Sequence, residues 1–387
     1  MRSIDELRRL IRTHSNDHVE AWARGGRPVV GYFCSYAPPE LMLACGALPI
    51  RLRGTGSDDS SLGDAWLFGR LCTFVRHAVS LVLDGRYDFL SGVICLNTCD
   101  HVRRAADVIA KKSGIAFQGF LSVPRSPRED LLPYYVTELG NLLDGLSGHL
   151  GVTVTGSELC AAVRTMNEVR DRLRRLDPFR HADPPRISGE DALTVHVASQ
   201  VLPPDVFLRL VDGVLDELSS APALERPRVR LLLIGAELDD PAYVRAIEST
   251  GAVVVADELC FGSRSVLDPI DVTALPERSC RAVVEAVARA YLFRQSCARM
   301  IGDFPRRWDT IARHVADYRV DGVIFQRLLF CDAWGADQHN VMLRSRGSPP
   351  IPTLFLTREY GVVPTGQLRT RVQAFVERLE SAAGGMS

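Results

Sequence analysis

What most constrains this chain is a repeated succession: a short β-branched run, a loop of small and polar residues, then a stretch with apolar residues at helical spacing. Val29–Phe33, Pro49–Leu52, Phe89–Cys95 and Ile115–Pro124 are such runs in the first third, and Arg226–Gly235, Ala252–Ala256, Val320–Phe325 and Thr353–Leu356 in the last. Strands that alternate with helices belong to parallel sheets wrapped by helices. Between the two sets, Tyr134–His149, Ser157–Leu176, Gly189–Gln200 and Pro204–Ser219 carry apolar residues at three and four spacing. The expected architecture is α/β: two flavodoxin-like or Rossmann-like parallel-sheet domains, 1–128 and 226–387, joined by a helical region, 129–225. With 387 residues, 46% of them hydrophobic, the chain can fill two cores.

Charge and patterning exclude several classes. The 46 basic and 47 acidic residues leave a net charge of −1, so no overall field draws the protein to nucleic acid or to an anionic membrane. No apolar run approaches the roughly 18 residues of a membrane span, and residues 1–20 are charged at helical spacing, unlike a signal peptide. A cytoplasmic protein without nucleic-acid or membrane partners is expected. Neither a P-loop nor a G-x-S-x-G elbow is present. Only Lys111 and Lys112 are lysines against 44 arginines, a bias of GC-rich bacterial genomes.

Loops at the carboxyl ends of parallel strands carry function, and the cysteines fall there repeatedly. Cys34, Cys99, Cys260 and Cys331 each follow a strand, and Cys72 opens a helix, where free N–H groups favour a thiolate. Cys45, Cys160, Cys280 and Cys297, inside helical apolar faces, and Cys95, mid-strand, read as small hydrophobes. Cys72 and Cys99 lie 27 positions apart and Cys331 another 232 on, with no C-x-x-C or H-E-x-x-H, which disfavours a zinc ribbon. Core filling and an iron–sulfur cluster remain the two readings of these thiols.

Seven segments in order resemble the signature blocks of the 2-hydroxyacyl-CoA dehydratase family, which includes benzoyl-CoA reductase core subunits. They are Cys34-Ser35-Tyr36-Ala37-Pro38-Pro39-Glu40 with Ala47–Leu52; Leu71-Cys72-Thr73-Phe74-Val75-Arg76; Tyr87–Leu90 running into Asn97-Thr98-Cys99-Asp100-His101; Gly235–Asp240; Ala256–Arg264; Phe325–Gly335; and Gly366–Val372. The resemblance implies a [4Fe–4S] cluster held by Cys72, Cys99 and Cys331, with one iron open and Ser35 hydrogen-bonded to its exchangeable ligand. A helix N-cap is the plainer role for Ser35. It also implies an acyl-CoA substrate, a paralogous partner subunit or a homodimer, and a separate ATP-dependent activator with its own cluster. The chemistry implied is a lyase reaction: one electron placed on the thioester carbonyl gives a ketyl radical anion that expels the α-hydroxyl. A benzoyl-CoA-reductase-like subunit and a non-catalytic partner subunit are the alternatives, and recruitment to a biosynthetic pathway is compatible with the genome bias. Cys72-Thr73-Phe74 departs from the more usual Cys-Pro-Phe, and Cys34 and Cys260 receive no assigned bond.

Other groups near these blocks have weaker claims. His77 and His101 read as proton relays or helix-face residues, and Asp100 and Asp332 as first-turn acids beside ligand cysteines. Thr365 is a candidate N-cap for the last helix. Arg76, Arg327 and Arg369 are candidates for CoA phosphates or cluster charge.

Overall fold

The computed structural model describes residues 1–57, 59–275, 279–347, 350–361 and 366–384. Thr365 lies outside them. The first part runs α1 (Arg2–Leu10), α2 (Asp17–Arg24), β1 (Val29–Tyr32), α3 (Pro39–Ala44), β2 (Leu48–Arg51), α4 (Ser61–Asp64), α5 (Thr73–Leu83), β3 (Gly92–Leu96), α6 (Asp100–Lys112) and β4 (Phe117–Leu121). Five helices follow: α7 (Leu132–Leu150), α8 (Gly156–Arg174), α9 (Asp177–His181), α10 (Gly189–Ala198) and α11 (Pro204–Ser220). The last part is β5 (Arg230–Gly235), α12 (Pro241–Glu248), β6 (Val253–Glu258), α13 (Cys280–Leu292), α14 (Phe304–Asp317), β7 (Gly322–Leu328), α15 (Asp332–Arg344), β8 (Thr353–Arg358) and α16 (Gly366–Gly384).

The strands form two four-stranded sheets, ordered β2-β1-β3-β4 and β6-β5-β7-β8, with every pairing parallel. This is the flavodoxin-like order, in which chain direction across the sheet reverses beside the first strand. The α/β expectation holds, and of its two alternatives the sheets take the flavodoxin-like one. Sequence composition explains which strand goes where. Val29–Tyr32, Gly92–Leu96 and Arg230–Gly235 are buried at every residue, as strands covered on both faces must be. Phe117–Leu121 alternates between exposed and half-buried until Leu121 and takes an edge.

Helices from all parts of the chain interlock around the sheets. α1 packs on α10 and α11, α10 on α12 and β6, and α7 on both β4 and α13. The apolar stripe of α1 illustrates the driving force: Ile4, Leu7 and Leu10 are buried in the same core as Leu193, Val211 and Leu231.

Several boundaries differ from the periodicity. The amino-terminal helix breaks in two because Asn16 turns its side chain onto the amides of His18 and Val19 and starts α2. The third strand begins at Gly92 rather than Phe89. β7 runs on to Leu328, past polar Gln326, because that side chain donates to the Ala236 carbonyl at 2.6 Å and accepts from Arg358 Nε at 2.9 Å. Buried polar partners carry a strand further than hydrophobicity predicts.

Candidate functional site

Two parallel sheets each offer a crevice where strand order reverses, and the chain places its unusual residues at both. Cys34 and Ser35 leave the end of β1, and Cys99 follows β3. In the second sheet Glu237 leaves β5 and Cys331 follows β7. Gly235, at φ 137°, makes the turn that delivers Glu237; a Cβ there would meet the Gln326 carbonyl at 1.7 Å. Phe330, just before Cys331, holds a left-handed φ of 65°, a conformation that costs a non-glycine residue energy and must be imposed by its surroundings.

Cys72, Cys99 and Cys331 are the N-cap residues of α5, α6 and α15. Three helix amino termini, each with unpaired amides and a positive dipole end, therefore carry a thiol. Burial pushes Cys72 up to about 12, with the amides of Val75 and Phe74 opposing the rise. Cys99 is pushed up to about 11 by burial, against the amides of Val102 and His101, and burial holds Cys331 well above the ordinary thiol value, against the amide of Trp334. Cys99 also raises Cys72, and both raise Cys331, while Glu237 raises all three. The three sulfurs and one carboxylate thus lie within electrostatic reach of one another.

None of the ten cysteines is disulfide-bonded. Among the described residues no group of three or more His, Cys, Asp or Glu is tight enough to hold a single metal ion. Fit to a cluster is judged by donor chemistry instead. Three thiols, each facing first-turn amides, suit an anionic iron–sulfur group, whose irons take cysteine sulfur and whose charge is stabilised by N–H donors. The residues fit.

His101 binds the three cysteine loops to one another. The Cys72 amide donates to His101 Nδ1 at 3.1 Å, so the imidazole carries its proton on Nε2, which lies 3.5 Å from Asp332 Oδ2. Burial keeps this ring below the usual histidine value. His101 follows Cys99 by two residues, and Asp332 follows Cys331 directly.

Cys260 is committed elsewhere. Its thiol donates to Glu237 Oε2 at 2.7 Å, and Arg51, wholly buried at the end of β2, reaches the Cys260 sulfur at 3.2 Å, its carbonyl, and Glu237 at 3.2 Å. Arg53, two residues on, pairs at 3.1 Å with Asp239, both side chains excluded from solvent. Tyr360 completes that contact, donating to Asp239 at 2.7 Å and accepting from the Gly54 amide at 3.0 Å. These bonds tie the first sheet to the second beside the thiols.

Ser35 is not a helix cap: α3 begins at Pro39 with Pro38 as its N-cap. The half-buried Ser35 lines a small cavity with Tyr32, Gln200 and Val266, and its carbonyl accepts from Arg294. Cys297 lies outside any helix, between α13 and α14, close enough to Tyr36 and Arg264 to act on their ionisation. His77 meets Ser57 at 3.0 Å and lies tilted against the Tyr360 ring. Arg76 is held by Asp64, Arg369 is exposed on α16, and Arg327 lines a surface cavity with Cys331. Sequence reasoning assigned no role to Arg51 or Glu237, although an arginine inside an apolar strand is the available signal.

Two flavodoxin-like sheets, with thiols at three helix amino termini beyond their strands, define a two-sheet α/β protein with a cysteine-bearing site. The chain belongs to the family described as "2-hydroxyglutaryl-CoA dehydratase, D-component", which it matches over residues 34–379. It is similar to a benzoyl-CoA reductase subunit of Thauera aromatica, 24% identical over 312 residues and 79% of each chain. Lactoyl-CoA dehydratase subunit beta of Anaerotignum propionicum is 23% identical over 358 residues, covering 92% of this chain and 93% of its own. The beta subunit of (R)-2-hydroxyglutaryl-CoA dehydratase of Acidaminococcus fermentans is 21% identical over 363 residues, with the same coverage. Among the described residues no helix is long and apolar enough to cross a membrane.

Proposed function

We propose that the chain is the cluster-bearing subunit of a 2-hydroxyacyl-CoA dehydratase-type lyase, with Cys72, Cys99 and Cys331 holding a [4Fe–4S] cluster. The position of these thiols as N-caps of three helices from both sheets, with His101 bridging their loops, supports the reading. Three thiolates on four irons leave one iron for an exchangeable ligand. When bound, the cluster would supply the single low-potential electron that a thioester carbonyl needs before the α-hydroxyl can leave.

The chain's own residues prepare that event. First-turn amides of α5, α6 and α15 offset the charge of the thiolates. Ser35 offers a hydroxyl at the small cavity between the sheets, where it can donate to the exchangeable ligand or the thioester oxygen. Arg51 holds Glu237 and Cys260 in one orientation, and the Arg53–Asp239–Tyr360 contact keeps the two sheets closed against water. The relatives named as subunits support a partner chain, heteromeric or a second copy; a separate ATP-dependent activator belongs to the same reading. A reductase role of the benzoyl-CoA type is the second reading, supported by the likeness to the Thauera aromatica protein.

Anaerobic purification tests the reading: a brown protein with about four irons per chain is expected. An iron-free preparation after anaerobic reconstitution overturns it. Ser35→Ala should keep the iron and lower turnover, and unchanged turnover removes its role. Water loss without net electron use marks the lyase, and consumption of two electrons per product marks the reductase.

A further inference from the structure

We propose that Arg264 is the buried cation that makes the iron–sulfur group of this site easier to reduce. This rests on the cluster reading above and adds to it a residue that holds no iron.

Arg264 lies in the short turn Ser263–Ser265 beyond β6 and is 2% exposed. Its carbonyl and that of Ser35 both accept from the Arg294 guanidinium, which joins the two loops. Its own guanidinium lies over the Trp334 ring, 4.7 Å from the ring centre, within reach of a cation–π contact. Trp334 stands in the first turn of α15, three residues after Cys331, and its amide opposes the rise of that thiol. The backbone of Arg264 is thus fixed to the Ser35 loop and its side chain to the Cys331 helix.

No carboxylate is left for this cation. Among the described residues Arg264 forms no ion pair, and its buried Nη2 has no hydrogen-bond partner. The two acids that act on it from a distance are claimed by others, Glu237 by Arg51 at 3.2 Å and Glu258 by His314 at 3.0 Å. Cys260 and Cys297 also lie close enough to act on it. Arg294 and Arg299, buried as well, rest on backbone carbonyls and Asn97 and form no ion pair among the described residues. Buried charge without a counter-charge is costly, so this concentration of guanidinium groups fits a place that receives an anion. Thiolate ligands make an iron–sulfur group anionic, and an added electron makes it more so. A fixed cation nearby therefore favours the reduced form.

Reductive titration of anaerobically reconstituted protein, followed by electron paramagnetic resonance, tests this. Arg264→Met and Arg264→Gln remove the charge, and Arg264→Lys keeps it. Both neutral variants should retain iron and disfavour reduction by about tenfold, a midpoint lower by ~59 mV for one electron; the lysine variant should stay near wild type. Without iron the sign reverses. The guanidinium then lacks its anion, so the neutral variants should unfold at the same or a higher urea concentration than wild type, whereas a purely structural arginine would lower it. The proposal is overturned by an unchanged midpoint in both neutral variants, by an equal shift in the lysine variant, or by loss of iron or of folding in both neutral variants. Failure of the cluster reading looks different: wild type takes up no iron, which removes both and is seen by iron analysis before any potential is measured.

Discussion

The two sheets share one strand order and differ in the chemistry of one loop. After the third strand of each comes the same device, an N-cap cysteine followed by aspartate: Cys99-Asp100 on α6 and Cys331-Asp332 on α15. After the second strand they part. Beyond β2 the chain supplies Cys72, a third N-cap thiol, whereas beyond β6 it supplies Cys260, whose sulfur is spent on Glu237 and Arg51. Topology thus fixes where a site forms, and helix capping decides which thiols remain available to it.

The largest test is at the paired positions. Cys99→Ala and Cys331→Ala, though in different sheets, should abolish the cluster chromophore equally, since each removes a proposed iron ligand. Cys260→Ala should keep it, and Cys160→Ala should leave iron content unchanged. A chromophore that survives Cys331→Ala but not Cys260→Ala would exchange the two roles and break the comparison.

Next comes the bond between the sheets. Arg53→Met leaves Asp239 buried without its cation and should cost about 3–5 kcal/mol in urea unfolding, the usual result of breaking a buried pair from one side. A loss below about 1 kcal/mol would mean that the sheets are held together elsewhere.

Helix α10, packed on β6 of the second sheet, carries a fully buried acid-sensitive group. His196, 2% exposed beside the Arg180–Asp257 pair, is held down to about 4 by burial. Its unfolded value is about 6.5, so the unfolded chain binds more protons between those limits. Stability is therefore complete above pH 6.5 and lost as pH falls toward 4, by an amount on the order of 3 kcal/mol. Unfolding at pH 7 and pH 5 should show a smaller loss for His196→Gln than for wild type; equal slopes would place the acid sensitivity in other groups.

Much of this was legible in the residues. The β-branched runs located all eight strands, because central parallel strands are buried on both faces and cannot hide their composition. The ordered blocks named three thiols, and each proves to be a helix N-cap. Capping by Cys99 and Cys331 was less visible, since Asp100 and Asp332 look like the better caps. The roles of Arg51, Glu237 and His101 were out of reach, because each acts on a partner 29 or more positions away, and periodicity carries no such information.

His101 sharpens the comparison from within the site. His101→Leu removes the acceptor of the Cys72 amide and should weaken iron retention against a chelator by about 10- to 100-fold, the range for groups that orient ligands. His101→Asn, whose Oδ1 can replace Nδ1, should recover most of it. Hydrogen exchange of residues 71–75 in iron-free protein separates positioning from folding: the leucine variant should exchange faster there and alone. Unaltered exchange would deny His101 its hold on the loop.

The smallest effect is expected at the matched aspartates. Asp332 is 89% exposed in its side chain, and its contact with His101 is 3.5 Å long, so Asp332→Asn should change stability by less than about 1 kcal/mol. Asp100, equally placed on α6, reaches only Arg103, at 3.5 Å and also exposed. Asp100→Asn should lose only its favourable position at a helix amino terminus, about 0.3–1 kcal/mol at low salt. The two variants should nonetheless differ in iron retention. Asp332 touches the imidazole that orders the Cys72 loop, so its loss reaches a thiol in the other sheet, whereas Asp100 acts on His101 through its charge alone. Equal retention by the two variants would show that the His101–Asp332 contact transmits nothing between the sheets.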